Sequence, residues 1–320
     1  MTGGGKWYFC NFRLPKLTMR RNAMMTTDQD TIDRAVGELL LAYNSGSVLD
    51  DLSAACRPRT VDAARRIHDG LVGKLGGHGG WKVGQVRPGQ EPGCAPIPRN
   101  RILHSPARWA FPLSGPVEIE VEVAVLIGRD LTQPGVIGTP EVRASISALH
   151  PAIEVVSSRL RNKEALPALR SFAGPPQERL HPLGGPGEAR VGGALTAMAD
   201  LQGNAGLILG PAAHDWHALD LARLRMELFI NGKRVAQIDS GPSQDGLLAS
   251  LTWLTNHARD RGKPLRRGDA ILTGARVRSV VVERNAEVCA KVQGLGDVEL
   301  SMCTRTPREM HCRAGFVPKY

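Results

Sequence analysis

From Thr27 to Tyr43 the apolar positions Ile32, Ala35, Val36, Leu39 and Leu40 return at helical spacing behind a threonine cap, which predicts an amphipathic helix. Val61, Ala64, Ile67 and Leu71 repeat the pattern behind Thr60, and this second helix runs into the glycine-rich turn Gly76-Gly77-His78-Gly79-Gly80. The rhythm then changes. Val117 to Ile127 alternates and becomes wholly apolar, as a strand does when it passes from a site into a core. Met226, Leu228 and Ile230 alternate before Asn231-Gly232, a two-residue hairpin signal, and Val235 to Ile238 return on the other side. Leu247, Leu251, Leu254 and Ala258 mark a third helix, followed by strand-like runs at 270–273, 279–282, 288–292 and 298–302. Helices early and strands late predict an α+β chain. Between 162 and 193, Pro167, Pro175, Pro176, Pro182 and Pro186 interrupt any period, and the stretch reads as a long inserted surface loop.

Composition narrows the function classes. The 320 residues are 42% hydrophobic and 22% charged, as in a globular protein with a sizeable core. No stretch approaches the roughly 18 uninterrupted apolar residues of a membrane span, so no membrane association is expected. The formal charge of +10 suggests a nucleic-acid partner until its location is read. Lys6, Arg13, Lys16, Arg20 and Arg21 place +5 in residues 1–22, and Arg305, Arg308, Arg313 and Lys319 against Glu309 place +3 in 304–320. The body is left near neutral, without the basic face of a nucleic-acid binder. Residues 1–26 are expected to be a disordered basic tail and 304–320 a solvated basic tail, flanking a single domain at 27–303. Met24 or Met25 is an equally good start. Cys10, Cys56, Cys94, Cys289, Cys303 and Cys312 show no paired or zinc-like spacing, which fits reduced thiols in the cytoplasm. The acid-free N-terminus leaves a mitochondrial segment as the alternative, although it lacks the amphipathic pattern of one.

The candidate chemistry lies in the acids. Glu118, Glu120 and Glu122 alternate with Ile119, Val121 and Val123, so on a strand all three carboxylates share one face. Taken alone this is a solvated strand face. Glu154, however, lies in the apolar run His150-Pro-Ala-Ile-Glu-Val-Val, where an ionised carboxylate is costly unless paired or bound to a cation. Gathered acids raise one another's pKa values, and a hard divalent ion relieves the repulsion. An oxygen-only donor set suits Mg²⁺ or Mn²⁺ better than zinc.

These residues carry a resemblance. The segment 118–131 (EIEVEVAVLIGRDL), followed by PAIEVVSSR at 151–159, is similar to the metal-binding core of the fumarylacetoacetate hydrolase superfamily. Gly80-Trp-Lys-Val-Gly84, Gly268-Asp-Ala-Ile-Leu-Thr-Gly274 and Gly294-Leu-Gly296 resemble its 2-keto-4-pentenoate hydratase and 4-oxalocrotonate decarboxylase branch. The resemblance spans about residues 27 to 303. It implies a curved mixed β-structure, a roll, with N-terminal helices packed on it, and a homo-oligomer.

The same resemblance implies that Glu120, Glu122 and Glu154 bind Mg²⁺ or Mn²⁺, with Glu118 a neighbour outside the set. Lys82 is then the catalytic and substrate-binding cation, which stabilises an enolate or moves a proton. Thr273 and Gly274 contact the substrate carboxylate. The expected reaction is addition of water to a small 2-hydroxydienoate or 2-keto-enoate. Three departures bear on the reaction: no Asp occurs in 90–100, Gly206 stands where the hydratase pattern has serine, and the 162–193 loop is extra. They keep open a C–C hydrolase using Glu178 and His181, decarboxylation of a 2-keto diacid, and an inactive relative with a binding role.

Overall fold

The computed structural model describes residues 17–89, 91–161 and 186–302, with side chains from 28 onward and, after the second break, from 193. Two sheets and, among the described residues, five α-helices make up the molecule, the shortest being α3, Thr139–Ser145, between the two longest strands. The helix expected from Thr27 is α1, Leu17–Ser45, which begins ten residues earlier than the pattern indicates. Helix α2, Val61–Lys74, starts where Thr60 accepts the Ala63 N–H, leaving one fewer orphan donor in its first turn. Neither these nor the later helices are long and apolar enough to cross a membrane.

The larger sheet has eight strands. Its ordered path is β2 (Cys94–Pro98), β1 (His78–Val83), β10 (Ala270–Leu272), β5 (Val117–Ile127), β6 (Ile146–Val156), β7 (Asn204–Leu209) and β3 (Ile102–His104), with β11 (Val277–Val282) also paired to β5. Among the described residues of this sheet, β1 with β10 and β3 with β7 run parallel and the other pairs antiparallel. The smaller sheet joins β4 (Ala107–Trp109), β13 (Gly296–Met302), β12 (Glu287–Val292), β8 (Met226–Ile230) and β9 (Lys233–Ile238). The β8–β9 hairpin turns at Asn231 and Gly232, both with positive φ as the sequence pattern requires.

Strand β5 explains the geometry of the rest. It is buried along nearly its whole length because both of its faces are covered, and the two faces do different work. Val121, Val123 and Val125 join Trp81, Ile153, Ile271 and helix α5 (Gln244–Asp260) in the main core. The other face continues from Glu120 and Glu122 to Ala124. Ala124 packs with Ile97, Ala152, Leu207, Leu209, Ala270 and Leu272 in a separate apolar cluster. By strand alternation Lys82 and Glu154 lie on this second face as well. A third cluster joins α1 and α2 to helix α4, Pro186–Ala199.

Two expectations change. The stretch expected to be loop over 162–193 is helical from Pro186 onward; residues 162–185, with Glu178 and His181, and the tails 1–16 and 303–320 lie outside the described residues. The glycine-rich turn is a turn only at Gly76 and Gly77, which have positive φ, whereas His78 to Gly80 already belong to β1. Gly80 is needed there for space. A Cβ on it falls 2.0 Å from the Ala270 carbonyl oxygen on the neighbouring parallel strand. Gly80→Ala is expected to push β1 away from β10 and cost about 2–3 kcal/mol, the upper part of the range for overpacking; urea unfolding measures it.

Candidate metal centre and active site

Four strands deliver the site. Glu120 on β5 lies directly opposite Glu154 on β6 in the antiparallel register, and Glu122 follows on the same face. One carboxylate oxygen from each of the three lies within 4.8 Å of the others, and all three residues are buried. Like charges directly across a strand pair destabilise a sheet, and burial removes the water that would screen them. Burial, then Glu154 and then Glu120 push the Glu122 carboxyl well above the ordinary carboxylate range, against the opposing effects of Lys82 and the Gly274 N–H.

Lys82 enters from β1, on the far side of β10 from β5. Its Nζ donates to Glu154 Oε1 at 2.7 Å. Burial pulls its pKa down, but Glu154, Glu120 and Glu122 more than reverse this, so the amine stays an ammonium above its ordinary value.

Thr273 and Gly274 end the β10 segment beside the acids, and their donors are engaged within the protein. Thr273 Oγ1 donates to the Val123 carbonyl at 2.8 Å, and the Gly274 N–H donates to Glu122 Oε2 at 2.8 Å. Gly274 has φ 103°, a backbone state that glycine adopts without strain, and this is what turns its N–H onto the carboxylate. Glu118 lies outside the three-acid group.

The fold adds residues that the sequence reading left out or passed over. Asn204 Nδ2 donates to Glu154 Oε1 at 2.8 Å. Ser279 Oγ lies 3.3 Å from Glu120 Oε1, on a residue with φ 49° where the β11–β5 register slips. Arg276 is buried between the carbonyls of Leu221 and Pro242, and burial lowers its pKa to about 10 although Glu122 raises it. The charge of Arg276 was visible in the sequence, but its burial beside the acids was not. At Gly206 a Cβ falls 2.6 Å from both the Arg101 carbonyl oxygen and the Trp109 ring. A serine side chain there meets that wall, so this departure removes no contact to the carboxylates.

A hard cation fits this donor set. Glu154 Oε1 is used twice, by Lys82 and Asn204, while its Oε2 is buried and has no hydrogen-bond partner. A buried carboxylate oxygen with no donor, beside two further carboxylates, is what a divalent ion with oxygen ligands satisfies.

Comparison with known proteins agrees with this architecture. A curated 2-keto-4-pentenoate hydratase of Paraburkholderia phymatum is 26% identical over 266 residues, covering 83% of this chain and 86% of that protein. The 2-keto-4-pentenoate hydratase 2 of Dechloromonas aromatica is 27% identical over 181 residues, covering 57% and 58%, so the chain spans little more than half of that relative. A 4-oxalocrotonate decarboxylase of a Pseudomonas species is 25% identical over 186 residues, covering 57% and 59%. Among solved structures, 4-oxalocrotonate decarboxylase from Pseudomonas putida G7, complexed with calcium and acetate, matches with a TM-score of 0.65 at 18% identity, covering 85% of this chain and 97% of that one. At that identity the likeness is one of fold. Residues 92–302 match the family model described as fumarylacetoacetate (FAA) hydrolase C-terminal, a segment that contains all three acids, and the chain therefore belongs to the fumarylacetoacetate hydrolase family.

Proposed function

We propose that this chain is a Mg²⁺- or Mn²⁺-dependent hydratase that adds water to a small 2-hydroxydienoate or 2-keto-enoate, with Glu120, Glu122 and Glu154 as the ligands and Lys82 as the catalytic cation. The observation that carries the reading is the cross-strand pair Glu120–Glu154, buried with Glu122 inside a 4.8 Å group. Relatives named 2-keto-4-pentenoate hydratase support the reaction, and a fold neighbour, a 4-oxalocrotonate decarboxylase complexed with magnesium and adipate, supports the metal.

The bound ion supplies Lewis-acid stabilisation of the negative charge that builds on the substrate's 2-oxygen. Lys82 contributes a second, preorganised positive charge beside that oxygen. Glu154 holds the ammonium in place through Oε1. The Gly274 N–H fixes the orientation of Glu122. Beneath the acids, Ala124, Ala152, Ala270 and Leu272 form an apolar floor that excludes water from that side and strengthens every charge interaction above it.

Decarboxylation of a 2-keto diacid develops charge at the same oxygen, and a curated decarboxylase is nearly as similar as the hydratases, at 25%. A panel of 2-hydroxydienoates, acylpyruvates and oxaloacetate, assayed with and without Mg²⁺ or Mn²⁺, separates the reactions. Metal-dependent loss of the dienoate is expected; turnover of acylpyruvate or diacid alone replaces the hydratase reading, and turnover without metal removes it. Lys82→Met is expected to lower kcat by about 100-fold or more, the scale of losing one charge-stabilising donor. The same variant should bind metal as tightly or more tightly, because a cation competing for Glu154 has gone. Calorimetric titration with Mn²⁺ checks the second half.

A further inference from the structure

We propose that Asn204 is a positioning residue that holds Glu154 Oε1 beside Lys82 and leaves the buried Oε2 free for a cation, so that tight cation binding requires an amide at position 204. The proposal rests on the reading of the three acids as a cation site.

Asn204 is fully buried at the start of β7, beside the strand that carries Glu154. Its amide has one chemically sensible orientation. The NH₂ group must face the carboxylate, as the 2.8 Å contact with Glu154 Oε1 shows, since the amide oxygen would repel it. The amide oxygen Oδ1 is then buried without a partner, like Glu154 Oε2. Two side chains joined by a hydrogen bond thus each present an unused acceptor, an arrangement suited to a cation and its hydrating water.

The backbone of Asn204 is held from two directions, and neither hold involves the amide. Its carbonyl accepts the Tyr43 hydroxyl of α1 at 2.6 Å and Arg159 Nη1 at 3.0 Å. Immediately before it, Leu201, Gln202 and Gly203 all have positive φ, at 54°, 53° and 77°. Two consecutive non-glycine residues in that region are strained, and the turn they make is closed by Gly203 N–H donating to the Asp200 carbonyl and by Ser157 N–H donating to the Gly203 carbonyl. This turn carries the chain into β7 with Asn204 paired opposite Val156 across a register slip, from where its side chain reaches Glu154. Strain kept beside a single polar contact to a candidate ligand indicates that the contact matters to the site.

The test is Mn²⁺ binding, followed by electron paramagnetic resonance and calorimetry, to folded wild type, Asn204→Ala, the near-isosteric Asn204→Leu, and Tyr43→Phe. Circular dichroism and Tm are recorded without metal. Both Asn204 variants are expected to bind Mn²⁺ about 10- to 100-fold more weakly, the range for outer-sphere partners of metal ligands. Tyr43→Phe, which removes a backbone anchor but keeps the amide, is expected to lower Tm and leave affinity within about threefold. If both Asn204 variants bind as wild type does, the positioning role is overturned while the cation site stands. If Tyr43→Phe weakens binding as much as they do, the effect is one of packing and the proposal falls. If wild type itself binds no Mn²⁺, the cation reading fails and this inference with it.

Discussion

Glu122→Gln is expected to weaken divalent-metal binding by more than about 100-fold, because even outer-sphere partners of metal ligands are worth 10- to 100-fold and Glu122 contributes its own oxygen to the group. Turnover should fall with it. The metal-free protein should lose no stability and should gain some. The sign follows from the pKa: the folded protein raises Glu122 above its unfolded value, so from the unfolded pKa upward this carboxyl opposes folding. A neutral amide removes that opposition and can still accept the Gly274 N–H. Wild type should be stabilised by added metal, by about 2.7 kcal/mol at one hundred times Kd, and the variant should not. Binding to wild type should also release a proton and tighten as pH rises through the Glu122 transition, since ion and proton compete for the carboxylate. The variant should lose that pH dependence. Thermal melts with and without Mn²⁺, and calorimetry in two buffers of different ionisation enthalpy, measure these effects. A variant that binds Mn²⁺ as wild type does would remove Glu122 from the ligand set.

The second large effect lies behind the site. Arg159 and Asp200 form an ion pair at 2.6 Å, with side chains only 3% and 0% exposed. Asp200 also accepts the Ser158 hydroxyl and the Arg159 N–H, while the guanidinium donates to the carbonyls of Ser157, Asp200 and Asn204 and lies 4.2 Å over the Tyr43 ring. Asp200→Ala leaves that guanidinium buried without a counter-charge and is expected to cost about 3–5 kcal/mol. Arg159→Met is expected to cost a similar amount by stranding the carboxylate. The double replacement Arg159→Met with Asp200→Leu should recover much of the loss, because no isolated charge remains. Urea unfolding of the three variants tests this, and additive losses in the double variant would show that the two groups do not act as a pair.

Local pattern made several elements readable in advance. Strand β5 coincides with Val117–Ile127, the hairpin turns at Asn231-Gly232, and α2 begins behind Thr60, because pleat, turn and cap are set by residues a few positions apart. The same period-two rule places Glu120 and Glu122 on one face. Where the expectation failed, local signals were overruled by packing. The glycine run looked like a turn, yet Gly80 is in a strand because a neighbouring backbone passes within 2.0 Å of where a Cβ would stand. The proline-rich stretch hid the start of α4, since Pro186 is compatible with a first helical turn and Leu195 and Ala199 bury against α1 and α2.

Period and residue type along the chain established a two-faced acidic strand, its later acidic companion, a basic residue after a glycine run and the alternation of the closing strands. The pairing register established the rest. That Glu120 faces Glu154, that Lys82 arrives across β10, and that Asn204 reaches the same carboxylate as Lys82 depend on strands brought together from distant parts of the sequence. A charge pattern carries no record of how far away in space its partners lie, and the burial that makes it costly for these acids to carry unpaired charge exists only once the sheet has closed around them.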